Sequence, residues 1–79
     1  MNLDLSKIKK IFFIGIGGIG ISALAKMAIS RGIEVSGVND EESPKTLEPL
    51  RDLGTTIYFQ KDFKELPEAD LYVYSDAWI

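Results

Sequence analysis

The chain reads KIFFIGIGGIG from Lys10 to Gly20, an apolar run that passes directly into a cluster of glycines. Bulky and β-branched residues favour a strand over residues 10–14, and the spacing of apolar residues after Gly20 favours a helix. Glycines at 15 and 17 permit a tight turn and a close approach of backbone amides to an anion, while Gly20 is expected to let the helix pack against the strand. The stretch predicts a strand-turn-helix unit that can hold a phosphate group.

The start of the predicted helix supports this interpretation. Its first turn contains no acidic residue, so its unpaired amides and the positive end of its dipole are open to negative charge from outside the chain. Asp40 follows the glycines at about the 20-residue separation seen in dinucleotide-binding folds. A tight glycine turn without any ligand is the alternative, because glycines also serve turns alone.

Composition limits the functions that the chain can have. Its 79 residues are 46% hydrophobic and 27% charged, which is typical of one globular domain, here residues 1–79. With no cysteine and no histidine, disulfides, metal catalysis and nucleophilic catalysis lack their usual side chains. A net charge of -3 argues against nonspecific binding to nucleic acids or membrane surfaces, which depends on clustered lysine and arginine.

The N-terminal region has a superficial likeness to a secretory signal, because lysines precede an apolar stretch. Glycines interrupt that stretch, and cleavage would leave a fragment too small to fold readily without disulfides. No stretch reaches the roughly 18 uninterrupted apolar residues of a membrane span. A cytoplasmic protein with no membrane partner is therefore expected.

The first predicted helix covers residues 19–31. Gly32 follows it and suits the left-handed conformation that commonly terminates a helix. Its apolar face comprises Ile21, Leu24, Ala25 and Ala28. A strand follows from Ile33 to Val38, and Gly37 within it marks a place where a neighbouring group is expected to approach closely.

The second helix is predicted to begin with Ser43 as its N-cap and Pro44 as its first residue, and to end at Gly54. Its apolar stripe comprises Leu47, Leu50 and Leu53. Further strands are predicted at residues 55–59 and 71–74. Between them, Asp62 and Glu65 have the spacing of a capping box for a short helical turn over residues 62–66.

Strands that alternate with helices in this way predict an α/β fold with a parallel sheet, right-handed crossovers and the strand order 3-2-1-4. In such a sheet a ligand lies at the carboxyl ends of the strands where the order reverses, here between strands 1 and 4. The segments that converge there are Gly15–Gly20, Asn39–Asp40 and Ser75–Asp76.

Each polar candidate in these segments has two interpretations. Asp40 either accepts hydrogen bonds from a ribose or is a solvated turn residue. Asn39 either reads a base edge or ribose hydroxyls through its amide, or forms an Asx-turn. Ser75 either donates to a phosphate or caps the end of the fourth strand. The residue pattern leaves these alternatives open.

Several short motifs occur in a recognisable order along the chain. The main one is FIGIGGIGIS at residues 13–22, in which the doubled glycine and the following serine differ from ordinary nicotinamide-binding loops. The others are Glu34–Gly37, Glu42–Ser43, Leu53–Gly54, Ala69–Leu71 and Ser75–Ile79. Together they resemble the Mur ligases, most closely the branch that joins L-alanine to UDP-N-acetylmuramate in peptidoglycan synthesis, over nearly the whole chain.

The resemblance implies a Rossmann-like, three-layer domain of about four strands that forms the N-terminal part of a longer ligase and binds its UDP-N-acetylmuramate substrate. It implies that Asn39 lies near the uridine, with Asp40 as a neighbouring acceptor, and that Ser75 lies near the same ligand. The residues implied near the diphosphate are Gly15, Ile16, Gly17, Gly18, Ile19 and Gly20.

In that family ATP and Mg²⁺ bind to a central domain, and a third domain helps to bind the amino acid. This chain contains no Gly-x-x-x-x-Gly-Lys-Ser/Thr motif, so we expect it to hold no cofactor, no metal and no catalytic residue of its own. The expected partners are the UDP-sugar and the missing central and C-terminal ligase domains, and not a nucleic acid.

The chain departs from the family pattern in its last residues and at one candidate position. Asn39 stands where Asp is usual, Asp76 where a small hydroxyl residue is usual, and Trp78 where an aliphatic residue is usual. Because the chain stops immediately after the fourth predicted strand, an apolar edge near Trp78 and Ile79 is expected to favour self-association.

Two other functions stay in view. One is a nicotinamide- or flavin-nucleotide-binding fragment of an oxidoreductase or a regulatory domain, in which Asp40 holds the adenosine ribose. The other is a folded fragment that has no ligand affinity left.

Overall fold

The computed structural model describes residues 7–40, 44–59 and 65–74. These residues form the elements β1 (Lys10–Ile14), α1 (Ile19–Ser30), β2 (Glu34–Asn39), α2 (Pro44–Asp52), β3 (Thr56–Phe59) and β4 (Leu71–Tyr74). The strands form a 4-stranded sheet in the order β3-β2-β1-β4. All neighbouring strands are parallel, which confirms the predicted α/β fold and its strand order.

The register of the strands brings their carboxyl ends to one edge of the sheet. Ile14 pairs with Val38 of β2 on one side and with Tyr74 of β4 on the other. Asn39 at the end of β2 pairs with Phe59 at the end of β3. The order reverses between β1 and β4, so this edge is where an α/β sheet of this kind binds its ligands.

At the opposite edge, Asp70 joins the beginning of β4 to the beginning of β1. Its Oδ2 atom accepts hydrogen bonds from the backbone amides of Lys9 at 2.8 Å and Lys10 at 3.0 Å. The Asp70 amide in turn donates to the Lys10 carbonyl at 2.9 Å. The sequence pattern did not predict this contact, because it joins residues that are far apart along the chain.

The buried core lies between one face of the sheet and both helices. It is a single cluster in which Ile11 and Phe13 of β1 and Val35 of β2 meet the helices. The helical members are Ile21, Ala25, Ala28, Leu47 and Leu50. The apolar faces predicted for the helices are therefore mostly confirmed.

Two leucines expected in those faces are exposed instead. Leu24 lies at the edge of the buried face of α1 and is 47% exposed, beside an apolar groove that Met27, Leu71 and Val73 also line. Leu53 follows the last residue of α2 and is 52% exposed. Both leucines lie outside the buried cluster that joins the helices to the sheet.

Glycines end both helices and allow one close contact inside the sheet. Gly32 and Gly54 have φ values of 81° and 95°, as expected for residues that follow a helix. A Cβ atom on Gly37 would lie 2.7 Å from both the Phe13 carbonyl oxygen and the Ile16 side chain. The predicted close approach at Gly37 is confirmed, and Ile16 is the side chain that makes it.

The other face of the sheet carries a row of aromatic side chains. The Phe12 ring lies between those of Tyr58 and Tyr72, with ring centroids 6.5 Å and 6.1 Å away. The Tyr72 hydroxyl donates to the Pro67 carbonyl at 2.5 Å. The segment before β4 is therefore held against this face.

Some predictions fall outside the described residues. These are the N-cap role of Ser43, the capping-box residue Asp62 and the apolar edge near Trp78 and Ile79. Within the described part of the chain, neither helix is long and apolar enough to cross a membrane.

We predict that replacing Asp70 with Ala lowers the free energy of unfolding by about 1 kcal/mol, because two backbone amides lose their acceptor. Asp70→Asn is the matched control, since its side-chain oxygen can still accept these hydrogen bonds. Urea denaturation of both variants measures the difference. Equal losses for Ala and Asn would contradict a role for the acceptor oxygen.

Candidate functional site

The loop that joins β1 to α1 begins with a sharp turn at Gly15. Its φ value of 80° lies in the left-handed region that side chains disfavour. The chain then runs through Ile16, which is fully buried, and reaches the exposed residue Gly18 at the start of α1. The tight turn predicted at Gly15 is confirmed.

Most of the loop amides donate to acceptors within the protein. The amides of Gly15 and Ile16 both donate to the Val38 carbonyl, at 2.8 Å and 3.1 Å. The Gly18 amide donates to the Gly15 carbonyl at 3.0 Å. The end of β2 thus provides the hydrogen-bond acceptor for the first two amides of the loop. An anion at this place would have to compete with these hydrogen bonds.

Asn39 completes this arrangement. Its side chain is buried, and its Oδ1 atom accepts a hydrogen bond from the Gly17 amide at 3.1 Å. A Cβ atom on Gly17 would lie 2.7 Å from Asn39 Nδ2, so the side chain packs directly against the glycine. The contact with Asn39 thus requires glycine at position 17, in addition to the tight turn and the approach of an anion expected from the sequence.

The amides of the first turn of α1, which follow the loop, differ from the loop amides in their hydrogen bonding. Helical hydrogen bonding begins at Ser22, whose amide donates to the Gly18 carbonyl at 2.8 Å. The preceding amides of Ile19, Gly20 and Ile21 have no carbonyl one turn earlier within the helix, because they form its first turn. Gly18, Ile19 and Gly20 are exposed. The amides of the first helical turn therefore lie near the carboxyl edge of the sheet without an acceptor inside the helix.

The electrostatics of this helix start favour an anion. Gly18 is the N-cap in an extended conformation, with no side-chain hydrogen bond to the helix. The first turn of α1 contains no acidic residue. The positive end of the helix dipole is therefore not neutralised by the helix's own side chains.

One expectation about the glycines is wrong. Gly20 was expected to let the helix pack against the strand, but Gly20 is exposed and a Cβ atom there would meet no heavy atom within 4 Å. The close packing of this region instead involves Ile16 and Gly37. Ser22 follows Gly20 by two positions and is buried, with its hydroxyl donating to the Ile19 carbonyl at 2.9 Å.

The remaining site candidates lie at the same edge or outside the described residues. Asp40 directly follows β2 and is exposed, so its carboxylate is accessible to a ligand. Ser75 and Asp76 directly follow β4 but lie outside the described part of the chain. Among the described residues, no group of acidic side chains is arranged to hold a metal ion.

A family model and individual relatives both relate the chain to the Mur ligases. The family model described as "Mur ligase family, catalytic domain" matches residues 10–78. The match includes the whole glycine loop, both helices and all strands of the sheet.

Three similar proteins share one name. The UDP-N-acetylmuramate--L-alanine ligase of Sulfurihydrogenibium sp. (strain YO3AOP1) is 41% identical over 71 residues, which are 90% of this chain and 15% of that protein. The ligase of the same name from Coxiella burnetii (strain Dugway 5J108-111) is 42% identical over 77 residues, 98% of this chain and 16% of that protein. The one from Nocardioides sp. (strain ATCC BAA-499 / JS614) is 37% identical over 75 residues, 95% of this chain and 17% of that protein. The chain thus spans less than a fifth of the length of these relatives.

We predict that Gly17→Ala lowers the free energy of unfolding by about 1–3 kcal/mol, because its methyl group overlaps the buried Asn39 side chain. Gly20→Ala is the matched control, since its methyl group has open space and alanine favours a helix. Thermal unfolding should place Gly17→Ala below the native chain and Gly20→Ala at or above it. A Gly17→Ala variant as stable as Gly20→Ala would contradict the described contact.

Proposed function

The chain belongs to the Mur ligase family, and from this premise we propose that it binds the UDP-N-acetylmuramate substrate of a peptidoglycan-precursor ligase. The diphosphate of the ligand lies at the start of α1, and the nucleoside lies towards the end of β2. Joining of L-alanine takes place only in a longer polypeptide that also binds ATP and Mg²⁺.

The exposed start of α1 is the observation that supports this proposal most directly. The amides of Ile19, Gly20 and Ile21 offer hydrogen-bond donors, and the helix dipole adds favourable electrostatic interaction with a negative charge. The absence of a side-chain cap at Gly18 leaves this helix end open to an external anion. A diphosphate, with several anionic oxygens, suits a row of amides better than a single carboxylate does.

The start of α1 lies beside the end of the central strand β1, between the candidate residues that follow β2 and β4. β1 lies between β2 and β4, so a ligand anchored at the start of α1 can extend along the carboxyl edge towards either neighbour. Asp40 is exposed at the end of β2 and can accept hydrogen bonds from the ribose hydroxyls. We therefore assign the ribose contact to Asp40, while a contact from Ser75 stays part of the proposal.

The contribution of this chain to ligation is to hold and orient one substrate. Orienting a bound substrate against a second reactant lowers the entropic part of an activation barrier. The nucleotide end provides binding energy at a distance from the group that reacts, which leaves the muramate end accessible to the rest of the enzyme. Acyl-phosphate formation requires the ATP that this chain has no P-loop motif to bind.

Binding of a nicotinamide or flavin nucleotide is the second candidate function. Asp40 at the end of β2 would serve an adenosine ribose as well as a uridine ribose, so this residue does not discriminate between the two. The names of the relatives support the UDP-sugar, since each is a ligase that acts on UDP-N-acetylmuramate. Titration with NAD separates the two candidates.

We predict that Ile19→Glu weakens UDP-N-acetylmuramate binding at least about tenfold at low ionic strength, because it places a negative charge beside the diphosphate. The same substitution should leave the fold intact or stabilise it by about 0.3–1 kcal/mol, since Ile19 is 84% exposed and a carboxylate favours a helix N-terminus. Isothermal titration calorimetry and urea denaturation measure the two effects.

Ile19→Gln is the matched control, because it has the size and polarity of Glu without the charge. Its affinity should stay within about threefold of the native value, and added salt should narrow the difference between Glu and Gln. Equal affinities of the Glu and Gln variants for UDP-N-acetylmuramate would contradict a diphosphate site at the start of α1. Binding of NAD with no binding of UDP-N-acetylmuramate would reject the proposed substrate.

A further inference from the structure

The Asn39 side chain is placed to act on the glycine loop rather than on a ligand. It is only 5% exposed, and its Oδ1 atom accepts the hydrogen bond from the Gly17 amide. Its amide group also faces the Gly17 Cα, since a Cβ atom there would lie 2.7–2.9 Å from Nδ2, Cγ and Oδ1. Because the side chain is buried against the loop, it offers little surface to a uridine.

The contacts around Asn39 form a continuous attachment of the loop to β2. Val38 accepts hydrogen bonds from the Gly15 and Ile16 amides through its carbonyl, and Asn39 accepts the next one through its side chain. Two consecutive residues of β2 therefore fix three consecutive residues of the loop. The contact from Val38 is made by the backbone, so Asn39 is the member of this pair that a substitution can remove.

This attachment determines where the exposed amides begin. Gly17 is followed by Gly18, the N-cap of α1, and then by the first helical residue Ile19. If Gly17 were released, the N-cap could move and the amides of Ile19, Gly20 and Ile21 would lose their common orientation. An amide oxygen also satisfies Gly17 without adding a negative charge beside an anion site.

We infer that Asn39 is a positioning residue: through Gly17 it fixes the glycine loop and thereby orients the amides at the start of α1 for a diphosphate. It does not contact the nucleoside. The part of this inference that concerns the diphosphate depends on the proposed function, whereas the part that concerns Gly17 can be tested on the chain without any ligand.

The first test measures hydrogen exchange of individual amides by NMR in the native chain, in Asn39→Asp and in Asn39→Leu. Asp keeps the acceptor oxygen, and Leu has a similar size without it. We expect the Gly17 amide to exchange at least about tenfold faster in Asn39→Leu and within about threefold of the native rate in Asn39→Asp. The Gly15 amide, bonded to the Val38 carbonyl, serves as the internal control for global unfolding.

An equal Gly17 exchange rate in the native chain and in Asn39→Leu would overturn the inference. If Asn39→Leu does not fold, the pair Gly17→Ala and Asn39→Ala provides the test instead. The methyl group added at Gly17 overlaps the Asn39 side chain, so the double variant should unfold at a higher temperature than Gly17→Ala alone. A double variant that is less stable than Gly17→Ala would count against the contact.

The second test compares two ligands by NMR titration. Asn39→Leu should weaken the binding of UDP-N-acetylmuramate at least about tenfold and leave the binding of uridine unchanged. Only UDP-N-acetylmuramate has a diphosphate that can bind to the amides of α1. Weaker uridine binding in this variant would show that Asn39 touches the nucleoside and would overturn the inference. If the native chain does not bind UDP-N-acetylmuramate, the proposed function fails, while Gly17 exchange still decides whether Asn39 fixes the loop.

Discussion

The attachment of the glycine loop to the end of β2 is the constraint on which the candidate site depends. The Val38 carbonyl and the Asn39 side chain accept hydrogen bonds from the amides of residues 15–17. These amides therefore already have acceptors within the protein. Helix geometry leaves the amides of Ile19, Gly20 and Ile21 without an acceptor inside the helix. The glycine loop is therefore attached to β2 by three consecutive amides, and it leads directly into the start of α1.

The glycine loop is also held by the hydrophobic core, through Ile16. Ile16 is fully buried and lies against Gly37, where even one additional carbon atom would overlap it and the Phe13 carbonyl. Ile16 also belongs to the cluster that contains Ile21, Ala25 and Leu47, so loop, helices and sheet share one set of packing contacts. Interiors packed in this way do not deform easily, which keeps the start of α1 in one place relative to the sheet.

Much of the architecture could be predicted from local patterns. The strand bounds Lys10–Ile14 and Leu71–Tyr74, the left-handed glycines after each helix and the strand order agree with the structure, since each depends on periodicity, turn chemistry or connection length. The partners of the loop amides could not be predicted, because Asn39 and Gly17 are brought together only by the pairing of β1 with β2. Gly20 was misinterpreted because the spacing of the glycines does not show that this position has open space around it. The site roles of Asp40 and Ser75 stay predictions.

A crystal structure of the chain with UDP-N-acetylmuramate tests the central claim most directly. The account predicts diphosphate oxygens within about 3 Å of the Ile19, Gly20 and Ile21 amides. It also predicts that the hydrogen bond from Gly17 to Asn39 is unchanged by the ligand. A diphosphate bound to the amides of Gly15–Gly17, with Asn39 displaced, or bound at another part of the chain, would contradict it.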